Sequence, residues 1–120
     1  MTGRRKVQPE DAQSSAQWVR AVSEVALLSI LGERPHYGLE ILDRLRSEAA
    51  LQIAEGTIYP LLHRLERAGL VSAEWSISEA ERPRKYYALT PAGARELEAQ
   101  LREWGRLSRR LEAFLGRMAG

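Results

Sequence analysis

The sequence has no cysteine, which excludes disulfide bonds, thiolate metal sites and cysteine nucleophiles. It also lacks a long hydrophobic run. The longest apolar stretch, residues 25–31, is interrupted by Ser29 and falls short of the ~18 residues that a membrane helix needs. No apolar segment follows the basic start closely, so we expect no signal peptide, no membrane partner and a cytoplasmic location.

The sequence also lacks a large excess of charge of one sign. The chain has 18 Lys and Arg against 16 Asp and Glu, a formal net charge of +2. Between residues 32 and 90, 8 basic residues face 9 acidic ones, which makes this region net −1. Because the overall field is weak, binding to a nucleic acid would have to depend on local basic clusters.

Residue patterns typical of catalysis are also missing. The only histidines, His36 and His63, are too few and too differently placed for a metal site, and we interpret them as ordinary surface or loop residues. The serines have no plausible base arrangement, and no glycine-rich phosphate loop occurs. We therefore expect no enzyme activity, no metal and no cofactor.

The 120 residues are enough for one domain, and the hydrophobic fraction of 44% is typical of a globular protein. We predict three segments: a flexible basic arm at 1–16, a folded body at 17–90 and a C-terminal helix at 91–120. The arm carries Arg4, Arg5 and Lys6 without apolar periodicity. It is either an inert tail or a basic arm that reaches DNA.

Three helices are predicted in the body. The first covers residues 18–31, is apolar around most of its circumference and ends at Gly32. The second covers residues 37–47. The third begins near Thr57, which we expect to cap it, because Pro60 is tolerated only near a helix start. Its apolar residues recur at helical spacing and form one buried stripe: Ile58, Leu61, Leu62 and Leu65.

A hairpin and a long helix follow. After a predicted left-handed stop at Gly69, residues 71–77 alternate between apolar and polar, which is typical of a half-buried strand. Residues 84–89 form a second strand. Thr90 caps a helix over residues 91–118, roughly 42 Å long. The body is too short to cover this helix, so we expect a homodimer.

This order of elements predicts a mainly α fold with a small β-hairpin: a winged helix-turn-helix followed by a long dimerisation helix. In such a fold the third helix can enter the major groove while the hairpin reaches the backbone. The candidate DNA contacts are the outward residues of this helix with its neighbours: Tyr37, Thr57, Tyr59, Pro60, His63, Arg64, Arg67, Arg84 and Lys85. A merely solvated face is the alternative.

The same residues carry a family resemblance. The blocks His36–Ile41, Glu55–Leu62, Arg64–Glu66, Gly69–Val71 and Arg84–Thr90, with Gly93, resemble the PadR family of transcriptional regulators. The resemblance implies a winged-helix repressor of the subgroup with one short C-terminal helix, dimeric through its first and last helices. Along the last helix, residues recur at alternating spacings of four and three, which predicts a coiled-coil seam with one polar member, Ser108. The expected interface, here called the dimer seam, comprises Val22, Leu97, Leu101, Trp104, Leu111, Phe114, Leu115 and Met118.

The resemblance also points to a candidate effector site. Some family members respond to small aromatic compounds, and in one of them a tryptophan at the position of Trp104 stacks on the ligand across the dimer axis. Trp104, with Trp18, is therefore a candidate effector site, and simple packing in the interface is the alternative. A winged-helix module that binds protein rather than DNA remains the rival function.

Overall fold

The computed structural model describes residues 9–77 and 82–120, which form four helices and a small antiparallel sheet. The elements are α1 (Pro9–Glu33), β1 (His36–Tyr37), α2 (Gly38–Ser47), α3 (Glu55–Arg67), β2 (Val71–Ser76), β3 (Arg84–Leu89) and α4 (Pro91–Ala119). The strand order in the sheet is β1-β3-β2. The predicted fold class is confirmed: a winged helix-turn-helix precedes a long C-terminal helix.

The core lies where the apolar stripes of α1, α2 and α3 meet the sheet. The fully buried aliphatic side chains are Leu27, Leu28, Ile41, Leu45, Ile58, Leu62 and Leu65. Burying each of them stabilises the fold by roughly 1.5–3 kcal/mol. Because three of them belong to α3, the inward side of that helix is fixed, and its opposite side must face outward.

The first helix is longer than the sequence predicts. It begins at Pro9 rather than near residue 18. Proline is accepted at the first helical position, because its missing N–H would have no partner there. The helix therefore includes residues 9–16, which the sequence assigned to the flexible arm, while the basic residues 4–6 of that arm lie outside the described residues.

Two helix ends were predicted correctly. Gly69 ends α3 with a φ of +77°, and the N–H of Leu70 donates to the carbonyl of Leu65 at 3.0 Å. These features form the left-handed stop expected from a glycine followed by an apolar residue. At the start of α4, the Thr90 hydroxyl accepts a hydrogen bond from the N–H of Gly93 at 3.0 Å, so this cap is confirmed.

Two other helix ends differ from the prediction. The first helix continues through the predicted stop at Gly32 and ends at Glu33. The third helix begins at Glu55 and not at the predicted cap Thr57, and the residue before it, Ala54, provides no side-chain cap. Pro60 consequently lies in the second turn, where the carbonyl that loses its hydrogen-bond donor belongs to Gly56.

The interpretation of His36 as a surface or loop histidine is wrong. Its side chain is fully buried, and the residue pairs with Tyr87 of β3 in the short strand β1. Nε2 lies 3.1 Å from Nη1 of Arg44, which can only donate, so Nδ1 carries the proton and donates to the carbonyl of Arg34 at 2.7 Å. His36 is thus a structural core residue with both ring nitrogens satisfied.

The hairpin of β2 and β3, here called the wing, is buried only at its base. Val71 is buried, but Trp75 and Ile77 on the same alternating face are 66% and 77% exposed. The prediction of a half-buried strand is therefore wrong for the outer half of β2, which extends beyond the core. Part of the wing tip, residues 78–81 with its two glutamates, lies outside the described residues.

Candidate nucleic-acid interface

An open groove of about 700 Å³, here called the wing groove, lies between the start of α2, the outer side of α3 and the wing. Of the predicted DNA contacts, its lining includes Tyr37, Tyr59, His63, Arg84 and Lys85. The lining also includes Trp75 and two acidic residues, Glu40 and Asp43. The structure thus joins the predicted aromatic and cationic contacts in one concave surface of mixed charge.

The position of Tyr59 depends on a glycine in the neighbouring helix. The Tyr59 ring packs on Gly38, where an added Cβ would lie 2.5 Å from Cε1. The Tyr59 side chain is only 39% exposed, so it has a packing partner that the sequence did not reveal. Partial burial, with smaller contributions from Glu55 and Tyr87, raises the pKa of Tyr59 above 10.0. The hydroxyl is therefore neutral and able to donate a hydrogen bond near neutral pH.

Arg84 is held by aromatic rings at the outer end of β3. Its guanidinium carbon lies 4.4 Å from the centre of the Tyr37 ring, and Tyr37 contacts Tyr86 edge-to-face at 5.6 Å. Such cation–π contacts orient a guanidinium without neutralising its charge. Arg84 can therefore present a positive charge to a ligand in the wing groove.

Lys85 points differently from its neighbour, because successive residues of a strand face opposite sides. Its ammonium lies 3.7 Å from a carboxylate oxygen of Glu66 on α3 and 5.6 Å from the centre of the Tyr87 ring. Part of its charge is therefore compensated within the protein. Lys85 connects the wing to α3 as well as lining the groove.

Arg64 lies outside the wing groove, on the flank of α3 that faces α1. Its Nη2 donates to Oε1 of Glu24 at 2.7 Å, and Oε2 of the same carboxylate accepts from Gln100 of α4 at 2.5 Å. Burial raises the pKa of Glu24, but the hydrogen bonds from Arg64 and Gln100 and the charge of Arg64 outweigh it, so the pKa lies below 4.5. The carboxylate is ionised at neutral pH and binds Arg64.

The three remaining predicted contacts lie on the outer side of α3, and none of them lines the wing groove. Pro60 and Arg67 are exposed, whereas Thr57 is half-buried. The predicted set therefore divides into a groove group, this outer group and Arg64.

The two candidate effector residues also come together. Trp18 of α1 and Trp104 of α4 line a second groove, of about 380 Å³, with Val22, Leu51 and other residues of α1 and the α2–α3 connection. Trp18 is 70% exposed and Trp104 is 49% exposed. This tryptophan groove is open and mostly apolar, and it adjoins the predicted dimer seam.

The outer half of α4 exposes the predicted seam. Its large apolar side chains, all exposed, are Leu101, Trp104, Leu107, Leu111, Phe114, Leu115 and Met118. Leu97 differs from them because it packs against the core of its own chain. Leu107 was not predicted, although it lies three residues from Trp104 and four from Leu111 and so shares their helical face.

The sequence did not single out Gly38, Glu24 or Trp75. The alternation of β2 assigned Trp75 to the core, and only the length of the wing beyond the core places it in the groove. Gly38 and Glu24 act on residues distant in sequence, so no local pattern marks them.

Within residues 9–77 and 82–120, no helix is long and apolar enough to cross a membrane, and no group of three His, Asp or Glu residues could hold a metal ion.

Comparisons with known proteins agree with this geometry. The chain is 30% identical over 104 residues to a transcriptional regulator of Mycobacterium tuberculosis, covering 87% of this chain and 95% of the relative. The structure of a PadR-like transcriptional regulator from Bacillus cereus superimposes with a TM-score of 0.75 at 31% identity, covering 82% of this chain and 96% of that one. A PadR family regulator from Eggerthella lenta gives 0.77 at 31% identity, with 87% and 90% covered.

These relatives are transcription regulators and not enzymes. The family profile described as "Transcriptional regulator PadR-like family" matches residues 27–99, from the end of α1 to the first turns of α4. The chain belongs to the PadR-like family of transcriptional regulators.

Proposed function

We propose that this protein binds operator DNA in the cytoplasm as a homodimer and represses transcription. The observation that carries the proposal is the wing groove. In it, Tyr59 and His63 of α3 lie beside Arg84 of β3, whose guanidinium packs on the ring of Tyr37. In a winged helix-turn-helix, the helix in the position of α3 enters the major groove and the wing contacts the backbone. The groove therefore joins base-reading and phosphate-binding chemistry.

The homodimer is supported by the exposed apolar face of α4. The helix has 29 residues, and the longest dimension of the molecule is 59 Å against 33 and 24 Å for the others. An apolar stripe of this length is costly to leave in water, and a second copy related by a twofold axis covers it. A twofold dimer would place two copies of α3 about one DNA turn apart, ~34 Å, as a palindromic operator requires.

A salt titration tests DNA binding. A labelled duplex from the region upstream of the protein's own gene is titrated with protein at several salt concentrations, and we expect the affinity to fall as salt rises. Arg84→Ala should weaken binding and reduce the salt slope by about 0.9, the value for one phosphate contact. Arg95→Ala is the matched control, because it removes the same charge outside the wing groove. Arg95 lies in α4, which follows the opposite end of β3 from Arg84.

The rival function is a winged-helix module that binds another protein. The net charge of −1 over residues 32–90 favours it, because a DNA-binding body is usually basic. The two functions differ in the same titration. A protein-binding module gives no complex with the duplex, or a complex whose affinity does not fall with salt. The proposed regulator binds the duplex at low salt, and its affinity falls as the salt concentration rises.

We also propose that the tryptophan groove binds a small flat aromatic effector. Its supporting observation is the approach of Trp18 and Trp104 from different helices to one apolar groove. A screen of aromatic compounds for quenching of tryptophan fluorescence tests this. A true effector quenches the tryptophan fluorescence of the wild type and binds the Trp104→Ala variant more weakly. It also changes the affinity of the wild-type protein for operator DNA. If no compound binds, Trp104 serves only to pack the dimer interface.

A further inference from the structure

Arg64 and Glu24 form a polar connection between three helices. Arg64 lies on α3, Glu24 on α1 and Gln100 on α4, and the carboxylate of Glu24 uses one oxygen for each partner. Gln100 also donates to Glu96 at 2.7 Å, which fixes its amide along α4. The position of the Arg64 guanidinium on α3 is therefore set by two other helices, α1 and α4.

The bond to Glu24 uses only part of the Arg64 guanidinium. A guanidinium has five N–H donors in a fixed plane, and Glu24 accepts from Nη2 alone. The Arg64 side chain remains 58% exposed, against 25% for Glu24. Within the part of the chain that the structure describes, Arg64 thus keeps donors without a partner on the solvent side of α3, while the carboxylate that binds it lies closer to the body.

These contacts have two opposite consequences for DNA binding. The negative charge of Glu24 cancels much of the attraction between Arg64 and a phosphate, so it lowers affinity for any sequence. The same bond restricts the guanidinium to one orientation, which favours the two-point contact with a base edge over a freely moving charge. An arginine held in this way loses general affinity and gains selectivity.

We infer that Glu24 is a specificity-determining positioning residue, which holds Arg64 for base reading and suppresses its binding to phosphates. Gln100 supports Glu24 from α4, so the orientation of Arg64 also depends on the helix that is proposed to form the dimer. The inference rests on the proposed function, in which α3 lies in the major groove.

The experiment compares an operator duplex, located by footprinting upstream of the gene, with a scrambled duplex of equal length and composition. Fluorescence anisotropy gives the affinity of each duplex at four salt concentrations. The variants are Glu24→Gln, Arg64→Met and the double variant. Glu33→Gln is the matched control. It also removes a carboxylate from α1, but the Glu33 carboxylate binds Arg44 of α2 and not Arg64.

For Glu24→Gln we expect tighter binding of the scrambled duplex and a salt slope steeper by about 0.9, as one more phosphate contact becomes available. The ratio of operator to scrambled affinity should fall at least about fivefold, the lower limit for loss of a two-point base contact. In the Arg64→Met background, Glu24→Gln should change neither quantity. Glu33→Gln should leave the ratio as in the wild type.

A second variant separates orientation from charge and does not remove the carboxylate. Glu24→Asp keeps the negative charge but shortens its reach, so we expect a lower affinity ratio with a salt slope close to that of the wild type. Thermal melting confirms that each variant is folded. An unchanged ratio in both Glu24 variants, or an equal effect of Glu24→Gln without Arg64, overturns the inference alone. A wild type that binds neither duplex overturns the proposed function together with it.

Discussion

Replacing Gly38 by alanine tests whether the position of Tyr59 matters for DNA binding. The added Cβ would lie 2.5 Å from Cε1, 2.8 Å from the hydroxyl oxygen and 2.9 Å from Cζ of Tyr59. Ordinary contacts between carbon atoms are about 3.5–4.0 Å, so the ring must retreat by roughly 1 Å. Because the ring is 39% exposed, it can swing toward solvent without disturbing the core.

The effect on stability should be small. The Tyr59 ring loses the packing of one face, but alanine in the first turn of α2 is a better helix former than glycine by up to ~1 kcal/mol. We expect the free energy of unfolding, measured in urea, to change by less than about 1 kcal/mol. Operator affinity should nevertheless fall about five- to 30-fold, corresponding to about 1–2 kcal/mol for a displaced interface aromatic.

A double-mutant cycle shows whether Gly38 acts through Tyr59. Tyr59→Ala should abolish most operator binding and leave the dimer intact, and Gly38→Ala should add little to that variant. Gly116→Ala is the matched control, because an added Cβ there meets nothing within 4 Å. Unchanged operator affinity in Gly38→Ala would refute the reasoning, as would an equal loss whether or not Tyr59 is present.

Three further predictions concern the dimer, the fold and pH. Leu111→Asp places a charge on the exposed seam, so sedimentation should show a monomer or an unfolded chain, and a dimer of unchanged stability would contradict the seam. Gly93→Ala puts a Cβ 2.0 Å from the carbonyl oxygen of Leu70, and the midpoint of urea unfolding should fall by the equivalent of ~3 kcal/mol or more, whereas tolerance would contradict this backbone approach. The lowered pKa of Glu24 means that its contribution to stability is present above about pH 4.5 and is lost as the pH falls through the lower folded value. Glu24→Gln should therefore flatten the decline in melting temperature below pH 4.5, and an unchanged pH profile would contradict the contribution of the Arg64 pair.

Local signals in the sequence predicted most of the fold. The stripe of Ile58, Leu62 and Leu65 defined α3, Gly69 ended it and Thr90 started α4, because each of these features acts over one or two helical turns. The coarse order of helices and hairpin followed from such signals.

Features that depend on distant contacts were not predictable. The strand of His36 is only two residues long and exists because β3, about fifty residues later, pairs with it. Thr57 has the side chain of a good cap, yet α3 begins earlier, since the N–H groups of Thr57 and Ile58 already donate to the carbonyl of Ala54. Trp75 alternates correctly for a core strand, but the core ends before it.

The candidate site shows the same division. Residue types and helical spacing identified the outward face of α3, and the structure gathers Tyr59 and His63 there with Arg84. The sequence did not show that Arg64 is bound by Glu24, forty residues away, because its spacing on α3 indicates only that it points outward. Pairings across helices decide which outward cations are free to bind DNA.

The most direct test of the account is the stoichiometry of the DNA complex. Sedimentation of a labelled operator duplex with the wild-type protein should give two protomers per duplex, with an affinity that falls steeply as salt rises. Tyr59→Ala should remain a dimer and leave the duplex sedimenting alone. A wild-type protein that is monomeric at working concentrations and leaves the duplex free at low salt would contradict the account.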